Sequence, residues 1–152
     1  MSTVTTRIAT LDDLPVVAPL FDAYRQFYEQ PSDLRLATAF LRDRMERQES
    51  VVLLAEDGDR LALGFCQLYP SFCSLAAAPI YVLFDLYVRP EARCCGAAKA
   101  LLEFARERAE RDGRVRMDLT TAKTNLPAQA LYESLGWVRD EVFYAYSRHT
   151  GR

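Results

Sequence analysis

The chain has 152 residues, half of them apolar, a length that suits one core, so a single domain over residues 1–152 is expected. Its net charge is −2 and its arginines are interleaved with acids, as in Arg106-Glu107-Arg108-Ala109-Glu110-Arg111-Asp112; with no basic stripe for phosphate backbones, no nucleic-acid partner is expected. No apolar stretch approaches the roughly 20 residues needed to cross a bilayer, and the first residues show no leader pattern, so no membrane partner and a cytoplasmic location are expected.

In chain order, Val4 to Ala9 reads as a short strand, and Thr10-Leu11-Asp12-Asp13 as a helix start in which Asp13 returns a hydrogen bond to Thr10. That helix should run toward Tyr28, with a bend at Pro19, where a backbone donor is missing. Ser32-Asp33 opens a second helix, whose Leu34, Ala37, Leu41 and Met45 form one apolar stripe. Val51 to Ala55 and Leu61 to Tyr69 read as two strands joined across Glu56-Asp57-Gly58-Asp59, and the segment from Pro70 to Pro79 as a loop.

Ile80 to Val88 is almost entirely β-branched, aromatic or aliphatic and predicts a buried central strand with one embedded acid, Asp85. Ala97, Leu101, Phe104 and Ala105 return to helical spacing, ended by Asp112-Gly113, and Val115, Met117 and Leu119 alternate as a strand. Asn125 and Pro127 start a last helix, and Trp137 to Tyr146 is read as a final strand. The order implies an α/β fold with a mixed sheet flanked by helices.

Four cysteines, Cys66, Cys73, Cys94 and Cys95, lack paired metal-ligand spacing, and His149 is the only histidine, so no metal is expected. The chemistry points instead to Asp85 through Lys99: a buried strand, a tight loop of small residues, then a helix start. Consecutive N–H groups at a helix start have no intrahelical partner, and Gly96, Ala97 and Ala98 would let a pyrophosphate approach them, with Arg93 and Lys99 adding positive charge. Taken alone, the same small residues would equally let the helix pack closely on the sheet.

A second segment, Thr124 to Trp137, tips that balance. Arg93-x-x-Gly96-x-Ala98 after a central strand, followed by Asn125 seven residues before Tyr132 in Ala128-x-x-Leu131-Tyr132-x-x-x-Gly136-Trp137, resembles the GNAT superfamily of N-acetyltransferases, with some likeness to its polyamine and diamine branch. Element order extends the likeness over nearly the whole chain and implies a GNAT-like α/β fold. One departure is Cys94, where many members carry glycine. The resemblance implies acetyl-CoA as cosubstrate, with Leu86, Tyr87 and Val88 along the pantetheine amides, Arg93, Cys94, Cys95, Gly96, Ala97, Ala98 and Lys99 around the pyrophosphate, and Asn125 and Tyr132 touching the cofactor.

Acetyl transfer needs a neutral amine, a donor facing the thioester oxygen and a proton for the departing thiolate. The resemblance assigns the last two to the backbone N–H near Val88 and to Tyr132; on its own periodicity Tyr132 also fits a core aromatic of an amphipathic helix. Polyamine-type members carry a Glu-Asp pair where this chain has Phe84-Asp85, which leaves Asp85 either as a base working through water or as a structural acid paired with an arginine. Tyr24, Tyr28 and Glu29 either flank and attract a cationic amine or belong to a helix face turned to the sheet.

The expected activity is N-acetylation of a small primary amine, such as a polyamine, diamine or amino-acid-like compound. Acetylation of a protein lysine or N-terminus and a non-catalytic CoA-binding module are the alternatives. The aromatic run Val142-Phe143-Tyr144-Ala145-Tyr146 suggests burial between subunits, hence a homodimer.

Overall fold

A computed structural model describes residues 3–151 and divides them into two compact units, one running to Thr120 and one from Thr121 onward. The first unit holds β1 (Thr5–Ile8), α1 (Leu14–Phe27), α2 (Leu34–Glu46), β2 (Val51–Glu56), β3 (Ala62–Cys73), β4 (Ala78–Val88), α3 (Ala97–Arg111) and β5 (Met117–Asp118). The strands form one sheet in the order β1-β2-β3-β4-β5, antiparallel except for the parallel β4–β5 pair. The result is the mixed α/β sheet expected from the element order.

Side chains alternate across a strand, so the sheet has two distinct faces. Val52, Leu54 and Phe65 join Leu14, Val17, Phe21, Ala37 and Leu41 in a core under α1 and α2. Their alternates Leu53, Cys66 and Leu68 are fully buried on the other face, and α3 packs on the sheet through Ala97, Leu101, Leu102 and Ala105. Asp13 receives the Thr10 N–H at 2.8 Å, as expected, and Asp33 caps α2 by accepting from Leu36 N–H at 3.0 Å.

Two expectations fail here. The segment from Pro70 to Pro79 is not a loop: β3 continues to Cys73 and pairs with β4 from Ala78, with Pro70 opposite Tyr81. Proline is tolerated there because β2 pairs with β3 only as far as Leu68, so Pro70 lies on a free edge where its missing N–H costs no ladder bond.

The second unit carries α4 (Leu126–Ser134), and Trp137 to Tyr146 forms no strand. The Asp140 carboxylate accepts from the N–H groups of Val142 at 2.9 Å and Phe143 at 3.3 Å, the donors that a ladder would use, and so bends the backbone locally.

Candidate active site

β4 pairs with β5 only at Tyr81 and Val82, while it pairs with β3 to its end at Val88. From Leu83 to Val88 the β5 side of β4 therefore carries backbone groups with no strand to take them, and Leu86, Tyr87 and Val88 lie on this edge. Gly64 lets β3 approach it closely: a side-chain carbon there would run into the Tyr87 carbonyl and stand 3.0 Å from Val88 Cα.

The chain leaves β4 through a 3-10 turn, Pro90–Ala92, and reaches α3 through a loop that twice enters the left-handed region. Gly96, at φ +90°, adopts it freely as the residue before the helix, whereas Cys94, at φ +65°, pays roughly 1 kcal/mol for its Cβ. The first bond of α3 runs from Ala100 N–H to the Gly96 carbonyl at 2.9 Å, so the N–H groups of Ala97, Ala98 and Lys99 are the orphan donors of the helix start. Cys94, Cys95 and Lys99 are exposed around them.

Arg93 is engaged at the end of β4. Its Nε donates to the Val88 carbonyl at 3.1 Å, and its guanidinium lies 5.7 Å from the Tyr87 ring centre and 5.8 Å from that of Phe27. The arginine thus ties the end of β4 to the end of α1.

On the α1 face, β4 carries a β-bulge. Gln67 pairs with Asp85 but the next residue, Leu68, pairs with Leu83, so Phe84 is the extra residue. The bulge turns Phe84 outward, 63% exposed and edge-on to Tyr69 at 5.6 Å, and leaves its carbonyl to accept the Tyr24 hydroxyl at 3.1 Å. Asp85 is buried beneath, where Gln67 Nε2 donates to its Oδ2 at 2.6 Å.

No lysine or arginine pairs with Asp85 among the described residues, so the arginine-paired alternative is not realised there. Burial pushes the Asp85 carboxyl above the usual carboxylate range, and the hydrogen bond from Gln67, with the Tyr24 hydroxyl nearby, only partly opposes this. Burial, reinforced by the Asp85 charge, holds Tyr24 and Tyr69 far above the ordinary phenol range, so both keep their protons. Tyr24 and Tyr28 meet edge to face at 5.2 Å, Phe27 and Tyr28 at 5.1 Å, and Glu29 follows α1 on the surface at φ +64°.

These residues form an aromatic surface over one buried acid. Phe27, Tyr69 and Phe84 belong to it and Gln67 lies beneath it; the parts played by Gln67, Tyr69 and Phe84 are not evident from residue order. Gln67 was detectable as the lone amide in the apolar run Leu63 to Leu68, whereas the bulge that exposes Phe84 has no sequence mark.

The remaining expected residues lie in the second unit. Asn125 Oδ1 accepts from Ala128 N–H at 3.3 Å and caps α4. Tyr132 lies with its ring 6.1 Å from that of Trp137, whose N–H donates to the Tyr132 carbonyl at 3.0 Å, and Gly136 takes φ +92° between them. The motif from Asn125 to Trp137 is thus one capped helix with its terminating turn. Among the described residues no cluster of His, Cys, Asp and Glu is arranged to hold a metal ion, and no helix is long and apolar enough to cross a membrane.

With this order of strand, left-handed loop and helix start, the chain belongs to the Acetyltransferase (GNAT) family, which it matches over residues 17–137. It is 44% identical over 140 residues, 92% of this chain and 93% of the relative, to a Bacillus subtilis (strain 168) protein named uncharacterized N-acetyltransferase YhfO. The crystal structure of a probable acetyltransferase covers 99% of both chains at 40% identity, with a TM-score of 0.89. Over a shorter stretch, 59% of this chain and 54% of the relative, it is 33% identical to the D-amino-acid N-acetyltransferase HPA3 of Saccharomyces cerevisiae (strain ATCC 204508 / S288c). The protein is an acetyltransferase of a family whose cosubstrate is acetyl-CoA.

Proposed function

We propose that the protein transfers the acetyl group of acetyl-CoA to a primary amine on a small molecule, a polyamine, diamine or amino-acid-like compound, by direct attack. The observation that carries the cofactor half is the free β5-side edge of β4 from Leu83 to Val88, followed at once by the loop and open helix start at Gly96. In this reading the pantetheine amides pair with Leu86, Tyr87 and Val88, and the pyrophosphate takes the N–H groups between Cys94 and Lys99. Arg93 holds the strand end in place while its charge stays near the anion, and Asn125 lies along the pantetheine arm.

The acceptor half draws its support from the aromatic surface over Asp85. Tyr24 and Tyr28 flank the amine, Glu29 attracts its charge, and Asp85 takes a proton from it directly or through water. The nitrogen lone pair then attacks the thioester carbon, the nitrogen gives its second proton to solvent as the C–S bond breaks, and the thiolate takes a proton from Tyr132, which solvent replaces. Moving a proton from a phenol (pKa about 10) to a thiolate (pKa about 8.5) is uphill by about 2 kcal/mol, a small fraction of a catalytic barrier. The name of the yeast relative, matched over a shorter stretch, favours amino-acid-like acceptors among the small amines.

Val142, Phe143, Tyr144 and Tyr146 are 72–92% exposed, which supports a homodimer that covers them. A purely monomeric mass by light scattering at micromolar concentration would remove that part. Function is tested by incubating the protein with acetyl-CoA and a panel of polyamines, D- and L-amino acids, aminoglycosides and lysine peptides, following free thiol against a no-acceptor control. Release with a small amine is expected. Release with peptides alone would make it a protein acetyltransferase, and saturable cofactor binding with no release would favour a binding module or an acceptor outside the panel.

A further inference from the structure

Gln67 is completely buried, and its side chain is matched at only one end. The nitrogen donates to Asp85 and the side chain also lies beside Tyr69, while among the described residues the buried carbonyl oxygen Oε1 has no hydrogen-bond partner. A buried acceptor left open is a standing cost, and an amide that only ever donated would carry it for no return. What such an amide can do is turn over, since rotation about its last side-chain bond exchanges Nε2 and Oε1 in nearly the same volume.

Its partner is a group with two states. A carboxylate needs a donor, whereas a protonated carboxyl offers an O–H and needs an acceptor. Asp85 sits beside the Phe84 bulge, and among the described residues no cation pairs with it to fix it in the ionised form. The titratable and charged groups around it are Tyr24 and, behind that, Tyr28 from α1, Cys66 and Tyr69 from β3, and Arg44 of α2 beside Tyr69.

We infer that Gln67 is a positioning residue for proton transfer: its amide donates to the Asp85 carboxylate and, after a half-turn, accepts from the Asp85 carboxyl once that has taken the amine's proton. The inference rests on the reading of Asp85 as the base. In the step, an N–H bond of the amine breaks and an O–H bond forms on Asp85. The electron pair stays on nitrogen for attack on the thioester, and the new O–H points at Gln67 Oε1. The carboxyl keeps one hydrogen bond and one orientation through both states.

The test needs no acceptor. In protein labelled with carbon-13 and nitrogen-15, the Asp85 carboxyl carbon is followed through a pH titration and assigned by its loss in Asp85→Asn. The scalar coupling across the hydrogen bond, from Gln67 Nε2 to the Asp85 carboxyl carbon, is measured on both sides of the midpoint. The coupling should be present above the midpoint and vanish below it while the backbone spectrum stays that of the folded protein.

A coupling that persists on both sides would make Gln67 a fixed structural donor, and an Asp85 carboxyl with no midpoint anywhere in the folded pH range would overturn the inference outright. In Gln67→Met the midpoint should rise by about one unit, because a hydrogen bond to the charged form is the stronger of the two lost. A folded Met variant with an unchanged midpoint contradicts the inference, and if that variant does not fold, the wild-type coupling still decides. An acceptor panel without turnover would defeat the functional reading and leave this titration standing.

Discussion

Gly64 and Val88 face each other across β3 and β4 so closely that a methyl group on Gly64 would stand 3.0 Å from Val88 Cα and overlap the Tyr87 carbonyl. The neighbour that must yield is backbone on both counts. Gly64→Ala therefore pushes the end of β4 toward its free edge, at an overpacking cost of about 1–3 kcal/mol. Thermal unfolding should show a loss of several degrees, and calorimetry should show weaker acetyl-CoA binding. A distant surface variant of equal stability should bind normally.

The loop before α3 leads to a second, opposite pair of predictions. Gly96 at φ +90° has open space around it, so Gly96→Ala clashes with nothing and is penalised by backbone conformation alone, by roughly 1 kcal/mol. CoA affinity should fall about fivefold to tenfold if the helix start holds the pyrophosphate. Cys94→Gly removes the Cβ from a left-handed residue and should leave affinity equal to or better than wild type, which competition binding would register.

Tyr132→Phe removes one oxygen and keeps the ring that lies beside Trp137. With Tyr132 as the acid, thiol release should fall about a hundredfold while acetyl-CoA binding by calorimetry is unchanged. Intact turnover would show that the proton comes from elsewhere.

Asp85 makes stability depend on pH. Burial raises its carboxyl above the ordinary value of about 4, so the folded protein binds this proton more tightly than the unfolded chain does. Stability from this group is then fully present below the ordinary range and is lost as pH rises through the window between the unfolded and the raised folded value. Asp85→Asn keeps the shape and abolishes that loss. Its unfolding midpoint relative to wild type should improve from acid to neutral pH while its turnover falls, as denaturant titrations at several pH values would show.

What could be read from residue order was decided by local rules. The Asn125 cap, the Gly136 stop, Asp13 returning to Thr10 and the small residues before α3 all depend on neighbours a few positions away, and each was legible. Features set by distant partners were not. Pro70 reads as a breaker until the extent of β2 shows that its nitrogen faces no strand, and the aromatic alternation from Val142 to Tyr146 reads as a strand although Asp140 takes its amides. The Phe84 bulge, which exposes one side chain and seats Asp85 under another, arises from a register shift between strands that no single segment encodes.

The central claim is that the free edge of β4 and the open start of α3 hold the cofactor. Amide hydrogen exchange read with and without CoA tests it most directly. The account predicts slowed exchange at both Leu86 to Val88 and Ala97 to Lys99 on adding CoA, with β1 and β2 unchanged. Saturable CoA binding that leaves both segments exchanging as before would contradict it.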